Sequence, residues 1–228
     1  MNNSVKFVNV CYLRGAQKYN YERRILLKPG IIVLLNGTSS SGKTSISNEL
    51  LNQSDIPFQH LSFDNFINGL FHSYKDFLNS TYPNMETNGA EDGQLVNQIL
   101  ADPLISLYYS TIKLLSAMGN NVIVDAVIGN DKWFNTCIEL FSDHPVIFVV
   151  VKCSKEELAR REQVRGDREV GLASSQYDNV YCFNEYDLEF NTEIMSSSEC
   201  ANEILNFIRS NKEYTSFKKL IKGKSVSK

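Results

Sequence analysis

The sequence lacks any apolar run long enough to cross a membrane as a helix. Its longest strongly apolar runs, residues 31–35 and 146–151, hold five and six residues, whereas a transmembrane helix needs roughly 18 or more. The first ten residues, MNNSVKFVNV, also lack the apolar block and the small-residue cleavage site of a secretory signal. We therefore expect neither a membrane span nor export.

The sequence lacks any clustering of cysteine or histidine, which argues against a metal centre and a disulfide framework. The five cysteines include no CxxC pair, and their odd number suits a reducing cytosol better than an extracellular setting. The three histidines are too dispersed along the chain to predict a metal site. They are His60, His72 and His144. We expect a cytoplasmic protein.

The net charge of −3 is small, but both ends of the chain are basic. Residues 1–29 and 212–228 each carry six Lys or Arg against one Glu, a net +5 for each segment. This pattern favours a solvated arm and a solvated tail, and a weak anchor for an acidic surface is the alternative. We expect three parts: an N-terminal extension (1–29), one globular domain (30–211) and a basic C-terminal tail (212–228). No nucleic-acid partner is expected, and the oligomeric state is left open.

Strand-like and helix-like patterns alternate through the domain. Apolar or alternating stretches predict strands over 31–35, 58–63, 122–124, 146–151 and 186–190. Helical spacing and start signals predict helices over 42–52 and 102–118, and others after Asn130, Ser154 and Ser196. This alternation predicts an α/β three-layer sandwich around a mostly parallel five-stranded sheet. Ligands of such sheets bind beyond the carboxyl ends of the strands, where Gly37, Asp64 and Asp125 lie.

Residues 37–44, GTSSSGKT, match the phosphate-binding pattern G-x-x-x-x-G-K-[ST]. Such a loop between a buried strand and a helix turns its backbone N–H groups toward phosphate oxygens. The pattern predicts that Lys43 reaches the β- and γ-phosphates and that the Thr44 hydroxyl ligates Mg²⁺. The predicted nucleotide-binding residues are Gly37, Thr38, Ser39, Ser40, Ser41, Gly42, Lys43, Thr44 and Ser45. A flexible serine-rich turn is the alternative.

Two aspartates follow neighbouring strands and have competing interpretations. Asp64 suits a general base that takes the proton of an attacking hydroxyl, or it caps the segment 65–71. Asp125 suits a residue that holds Mg²⁺ through water, or it orients substrate, or it caps the helix after Asn130.

An arginine-rich stretch, ARREQVRGDREVG, occupies residues 159–171. Arginines beside glycine hinges can close over phosphates and neutralise charge in the transition state. The candidates for catalysis are Arg161, Arg165 and Arg168, together with Lys43 and Asp64, and Arg160 belongs to the same cluster. The alternative is a solvated helix face, on which the arginines pair with nearby acidic residues. Those residues are Glu156, Glu157, Glu162 and Asp167.

Several stretches in the same order resemble the chloramphenicol phosphotransferase-like family of P-loop kinases. They are IIVLLNGTSSSGKTS, FDNF, NGAEDG, GNNVIVDAVI, RREQVRGDREVGLASSQYDNVY, YDLEFNT and SSSECANEI, from about residue 30 to 208. The resemblance implies a P-loop NTPase fold of the nucleoside-monophosphate-kinase type. It also implies ATP with Mg²⁺ as cofactors and transfer of phosphate to a hydroxyl of a small molecule. By the same resemblance Asp64 is the base and the arginine-rich segment is the lid.

Two regions depart from that family, and they keep other functions open. About 29 residues precede the first strand, and two short extended segments around Gly15 suggest a hairpin added to the sheet edge. Residues 65–85 are rich in Phe, Tyr and Asn, which suits either a pocket for an aromatic substrate or ordinary core. Trp133 is expected to pack a helix rather than to bind substrate. The alternatives are a kinase for another acceptor, such as a nucleotide sugar or a protein side chain, and a non-catalytic nucleotide-binding module or slow ATPase.

Overall fold

A computed structural model describes residues 28–70, 102–166, 170–210 and 212–225 of the chain. Within these ranges five strands form one sheet in which every neighbouring pair is parallel. The strands are β1 (Ile32–Asn36), β2 (Phe58–Ser62), β3 (Asn121–Ala126), β4 (Val146–Lys152) and β5 (Leu188–Asn191). Their order across the sheet is β2-β3-β1-β4-β5. The predicted α/β fold with a parallel five-stranded sheet is confirmed.

Helices cover both faces of this sheet. They are α1 (Lys43–Gln53), α2 (63–70 in the described part), α3 (Asp102–Ala117), α4 (Asp131–Phe141), α5 (Lys155–Arg165), α6 (Leu172–Val180), α7 (Ser197–Arg209) and α8 (Ser216–Ser225). Helices α1 and α7 pack on one face, and α3, α4 and α8 pack on the other. The result is the three-layer sandwich that the sequence predicts.

The apolar run of β1 is continuous because both of its faces are buried. Val33 and Leu35 belong to the core on the α1 side, whereas Ile32 and Leu34 belong to the core on the α3 side. A central parallel strand is covered on both sides and therefore shows no alternation of apolar and polar residues.

Both predicted helix starts are confirmed, but only one of the two predicted capping boxes is complete. Ser196 and Glu199 form the full reciprocal capping box at the start of α7. Ser154 accepts the N–H of Glu157 at the start of α5, but the Glu157 carboxylate accepts hydrogen bonds from Arg160 and Arg161. The second box is therefore a simple cap, because the arginines engage the carboxylate that would complete it.

The predicted ends of the chain need one correction. The tail is not wholly solvated, because α8 runs over Ser216–Ser225 and buries Phe217 against the α3-side core. Phe217 meets Phe148 of β4 edge-on, with ring centroids 6.0 Å apart. Residues 1–27 of the predicted N-terminal extension (1–29), with nearly all of its hairpin, lie outside the described residues, as do His72 and most of the aromatic-rich stretch. Of the helices in the described ranges, none is both long and apolar enough to span a bilayer.

Candidate active site

The loop of residues 37–42 joins β1 to α1 at the carboxyl edge of the sheet. Its turn needs left-handed backbone at two positions, Ser40 with φ 59° and Gly42 with φ 100°. At Gly37 the constraint is space, since an added Cβ would lie 2.5 Å from the carbonyl oxygen of Val151 and 2.6 Å from the hydroxyl of Ser41. Glycine at 37 and 42 therefore follows from packing and from backbone geometry respectively.

The loop offers donors to an anion from its backbone and from its side chains. Helix α1 begins at Lys43, so the N–H groups of its first turn have no helical carbonyl to bond. The hydroxyls of Ser39, Ser40 and Ser41 are buried without a hydrogen-bond partner among the described residues. Buried hydroxyls in proteins are nearly always bonded, and phosphate oxygens would supply the missing acceptors. The residues present therefore fit a nucleotide phosphate.

Lys43, Thr44 and Asp125 meet directly behind this loop. Lys43 is buried, and its ammonium donates to the carbonyl oxygens of Gly37 at 2.9 Å and Thr38 at 2.7 Å. The same ammonium lies 3.9 Å from Asp125 Oδ1, while the Thr44 hydroxyl donates to Asp125 Oδ2 at 2.6 Å. A hydroxyl beside a carboxylate is a set of hard oxygen donors that fits Mg²⁺ directly or through water.

Asp125 is positioned by the register of β3 in the sheet, and it does not cap a helix. It pairs with Leu35 of β1 and with Ser62 of β2, near the carboxyl ends of all three strands. Asn130 caps α4 instead, accepting the N–H of Trp133 at 2.9 Å. The interpretation of Asp125 as the cap of that helix is therefore wrong, and the metal and substrate interpretations remain.

Asp64 is exposed in the first turn of α2, directly after β2. Because α2 begins at residue 63, Asp64 lies inside the helix and does not cap it. The prediction that β2 extends to Phe63 is wrong for the same reason, since Phe63 turns into the helix and packs edge-on against Tyr108. Asp64 shares one cavity of about 850 Å³ with the phosphate-binding loop and with Asp125.

That cavity runs across the carboxyl edge of the sheet. On the β2 and β3 side it is lined by Phe63, Asp64, Val127, Gly129, Asn130 and Trp133. On the β4 and β5 side it is lined by Arg160, Arg161, Val164, Arg165, Thr192, Met195, Ser196 and Ser197. Trp133 both lines the cavity and packs, donating its indole N–H to Asp102 at 3.0 Å.

The arginines of α5 differ in what they contact. Arg161 donates to Glu157 at 2.8 Å, to the Ser40 carbonyl at 3.3 Å and to Thr192 at 2.9–3.0 Å. Arg160 forms two hydrogen bonds of 2.6 Å with the same Glu157. These bonds, those of Arg160 first, lower the pKa of the Glu157 carboxyl to about 2.

The structure gives less information on the other two predicted arginines, Arg165 and Arg168. Arg165 is exposed and lines the cavity, and Arg168 lies outside the described residues. For Arg160 and Arg161 the predicted pairing with Glu157 is confirmed. Glu162 is not part of that face: it is buried and accepts the N–H groups of Gly171 and Ala173.

Three residues that shape the loop were not predicted from the sequence. The Thr192 hydroxyl donates to the Ser41 carbonyl at 2.8 Å, Gln176 accepts the Ser39 N–H at 2.8 Å, and the Tyr181 hydroxyl accepts the Thr38 N–H at 3.3 Å. Burial raises the pKa of Tyr181, so its hydroxyl stays protonated. All three lie more than 130 residues from their loop partners, and no local spacing connects them.

Two partly buried histidines belong to no metal cluster, since the described residues contain no group of three or more ligating side chains. Desolvation lowers the pKa of His60, against the opposing effect of the Asp125 charge. Desolvation also lowers the pKa of His144, which shares a hydrogen bond of 2.8 Å with the Ser116 hydroxyl. Both are therefore structural histidines that are neutral near pH 7.

Comparison with known proteins gives matches of sequence and of fold. A family model described as chloramphenicol phosphotransferase-like protein matches residues 30–209. Two curated relatives, provisionally named O-phosphotransferases of Mycobacterium tuberculosis strains CDC 1551 / Oshkosh and ATCC 25618 / H37Rv, are each 30% identical over 181 residues. Each alignment covers 77% of this chain and 80% of the relative.

Solved structures of kinases share the fold at low identity. The APS kinase of Mycobacterium tuberculosis in complex with AMPPNP and APS has a TM-score of 0.56 and 18% identity, covering 79% of this chain and 98% of its own. An unliganded sugar kinase from Janibacter sp. HTCC2649 has a TM-score of 0.52 and 17% identity, covering 79% of this chain and 95% of its own.

Proposed function

The chain belongs to the chloramphenicol phosphotransferase-like family, and from this premise we propose that it is an ATP-dependent kinase that transfers the γ-phosphate to a hydroxyl of a small molecule. One observation carries the proposal beyond the family: the phosphate-binding loop, the Thr44–Asp125 pair and the Asp64 carboxylate all face one cavity. A switch that only binds nucleotide has no need of a carboxylate beside the loop and open to an acceptor. A kinase needs one to take the proton of the attacking hydroxyl.

We propose that the two substrates bind on opposite sides of the loop. Asp64 follows β2, so the acceptor belongs on the β2 and β3 side, where Phe63, Val127 and Trp133 supply apolar lining. The nucleoside then belongs on the β4 and β5 side, among Val164 and Met195. Apolar walls with a few polar groups are typical of small-molecule sites.

In the proposed reaction, Asp64 accepts the proton of the acceptor hydroxyl as that oxygen bonds to the γ-phosphorus. The bond between the γ-phosphorus and the β–γ bridging oxygen breaks, and ADP leaves. The N–H groups at the start of α1, the Ser39–Ser41 hydroxyls and Lys43 hold the phosphates in place throughout. Mg²⁺ held by Thr44 and Asp125 would neutralise phosphate charge.

The arginines have different parts in this proposal. Arg161 fixes the loop through Ser40 and Thr192, and Arg165 reaches the cavity from the last turn of α5. We assign the neutralisation of transition-state charge to Arg165 and Arg168, with Arg161 holding α5 against the loop. Arginines in such positions are worth roughly 10³–10⁵ in rate.

The test is an acceptor screen with ATP labelled at the γ-phosphate. Small alcohols, chloramphenicol among them, nucleotide sugars and proteins are offered separately, and the label is followed into the acceptor. Label on a small-molecule hydroxyl supports the proposal, and ³¹P NMR then identifies the phosphorylated oxygen. Label only on a nucleotide sugar or a protein would favour another acceptor class, and label only in inorganic phosphate would favour an ATPase.

A further inference from the structure

Glu162 is a buried carboxylate that the proposed reaction does not use. The residue is 1% exposed. Its two oxygens accept one N–H each, from Gly171 at 2.8 Å and from Ala173 at 2.7 Å. Buried charges of this kind persist only when they are well bonded.

These two bonds cap helix α6 from outside the helix. Gly171 is the N-cap residue of α6 at φ 98°, and it has no side chain of its own to cap the helix. The Glu162 carboxylate supplies the acceptors instead, and its negative charge lies at the positive end of the helix dipole. The position of α6 thus depends on a side chain of α5.

Helix α6 in turn holds the first half of the phosphate-binding loop. Gln176 accepts the Ser39 N–H at 2.8 Å, and the Val180 carbonyl accepts the side-chain N–H of Asn36 at 3.1 Å. Tyr181, the C-cap residue of α6, contacts Thr38 through its hydroxyl. Asn36 also accepts the N–H of Ile128 at 3.1 Å, on the acceptor side of the cavity.

We propose that Glu162 and Gln176 are positioning residues that link the arginine helix to the phosphate-binding loop. Glu162 fixes α6, and Gln176 transmits that position to the backbone of Ser39. Arg161, the neighbour of Glu162 on α5, reaches the same loop directly at Ser40. Helix α5 thereby fixes the positions of both its arginines and the loop. The distances between the positive groups that contact the phosphates then stay constant.

This inference rests on the proposed function only for its effect on turnover, and its central test needs no nucleotide. Amide hydrogen exchange of Ser39 is measured by NMR in the full chain and in single variants. In Gln176→Leu the Ser39 amide loses its acceptor, and we expect exchange about 3- to 10-fold faster, the worth of one ordinary hydrogen bond. Gln176→Glu keeps an acceptor oxygen and is expected to keep the protection.

The decisive variant is Glu162→Gln, which changes a side chain that does not touch Ser39. The carboxamide keeps the size but replaces one acceptor oxygen by a donor, so we expect faster exchange at Gly171 or Ala173 and also at Ser39. Glu156→Gln, at an exposed position of the same helix, is the matched control and should leave all three amides unchanged. Glu162→Asp, which keeps both acceptor oxygens on a shorter side chain, should lie between the two.

Turnover supplies the second reading. If the chain is a kinase, Glu162→Gln and Gln176→Leu should raise the KM for ATP about 3- to 10-fold with a smaller fall in kcat, since they weaken the loop and not the base. Unchanged Ser39 exchange in Glu162→Gln would overturn the link, whatever the acceptor screen shows. Equal acceleration at core amides such as Leu34 would also overturn it, because that result reports loss of global stability.

Discussion

Adding a single methyl group at Gly37 tests the loop geometry most severely. In Gly37→Ala the new Cβ would lie 2.5 Å from the Val151 carbonyl oxygen, about 0.9 Å inside the 3.4 Å at which ordinary contact begins. That oxygen is on the backbone of β4 and cannot rotate away, so β4 or the loop must move. Overpacking of this kind costs about 1–3 kcal/mol, which corresponds to a fall in Tm of about 2–12 °C for a domain of this size.

Two other glycines separate the effect on the site from the effect on stability. Gly30→Ala brings its Cβ to 2.0 Å from the Asn120 carbonyl at the opposite end of the sheet, whereas Gly69→Ala meets nothing within 4 Å. We expect Gly37→Ala to have a lower Tm and a weaker affinity for MgADP than the wild type. Gly30→Ala should have a lower Tm but bind MgADP with wild-type affinity at a temperature where it is folded. Gly69→Ala should have the Tm and the affinity of the wild type.

The assays are differential scanning fluorimetry for Tm and isothermal titration calorimetry for the Kd of MgADP. Wild-type affinity in Gly37→Ala would refute the view that the loop has no space at this position. A loss of affinity in Gly30→Ala as large as in Gly37→Ala would show that the loop responds to stability in general rather than to its own packing.

Three further predictions concern the Thr44–Asp125 pair, the partly buried His60 and the C-terminal helix. Asp125→Asn removes the charge that faces Thr44 and Lys43, so the gain in nucleotide affinity from added Mg²⁺ should shrink about 10-fold in a titration; an unchanged gain would separate Asp125 from the metal. Burial lowers the pKa of His60, so its stabilising contribution is present above the unfolded pKa of about 6.5 and is lost as the pH falls through the folded value. Urea unfolding between about pH 7.5 and about pH 5 should therefore show a smaller loss of stability in His60→Leu than in the wild type, and an equal loss would contradict this account. Phe217→Ala should lower the free energy of unfolding by about 3–5 kcal/mol, against almost no change for the exposed Lys218→Ala; a small effect would mean that α8 does not belong to the core.

The sheet was predictable because local pattern and burial agree along most of the chain. The run over β1 is apolar at every core position, and Gly119, at φ 84°, ends α3 where the sequence predicts a stop. The C-terminal tail was misjudged because its six lysines dominate its composition. The apolar face of α8 consists of only three residues, Phe217, Leu220 and Ile221.

The phosphate-binding loop could be found from the sequence because its own residues form it. The supports of that loop could not, since Thr192 and Gln176 bond to residues 151 and 137 positions away. The role of Glu162 was hidden for a related reason: among charged neighbours it resembles one more member of a solvated face, and only the fold shows that it bonds to Gly171 and Ala173. Asp64 was predicted as a base from its position after a strand, and the structure places it in the first turn of a helix that lines the cavity.

The most direct test of the central claim measures ADP release and MgATP binding in wild type, Asp64→Asn and Asp143→Asn. Asp143 is exposed and precedes β4, at the end of that strand opposite the cavity, and it serves as the matched control. With an acceptor identified by label transfer, the account predicts that acceptor-stimulated ADP release falls about 10²–10⁴-fold in Asp64→Asn and is unchanged in Asp143→Asn, while all three proteins bind MgATP alike. Full acceptor-stimulated release in Asp64→Asn would contradict the account, because the hydroxyl proton would then be taken by another group.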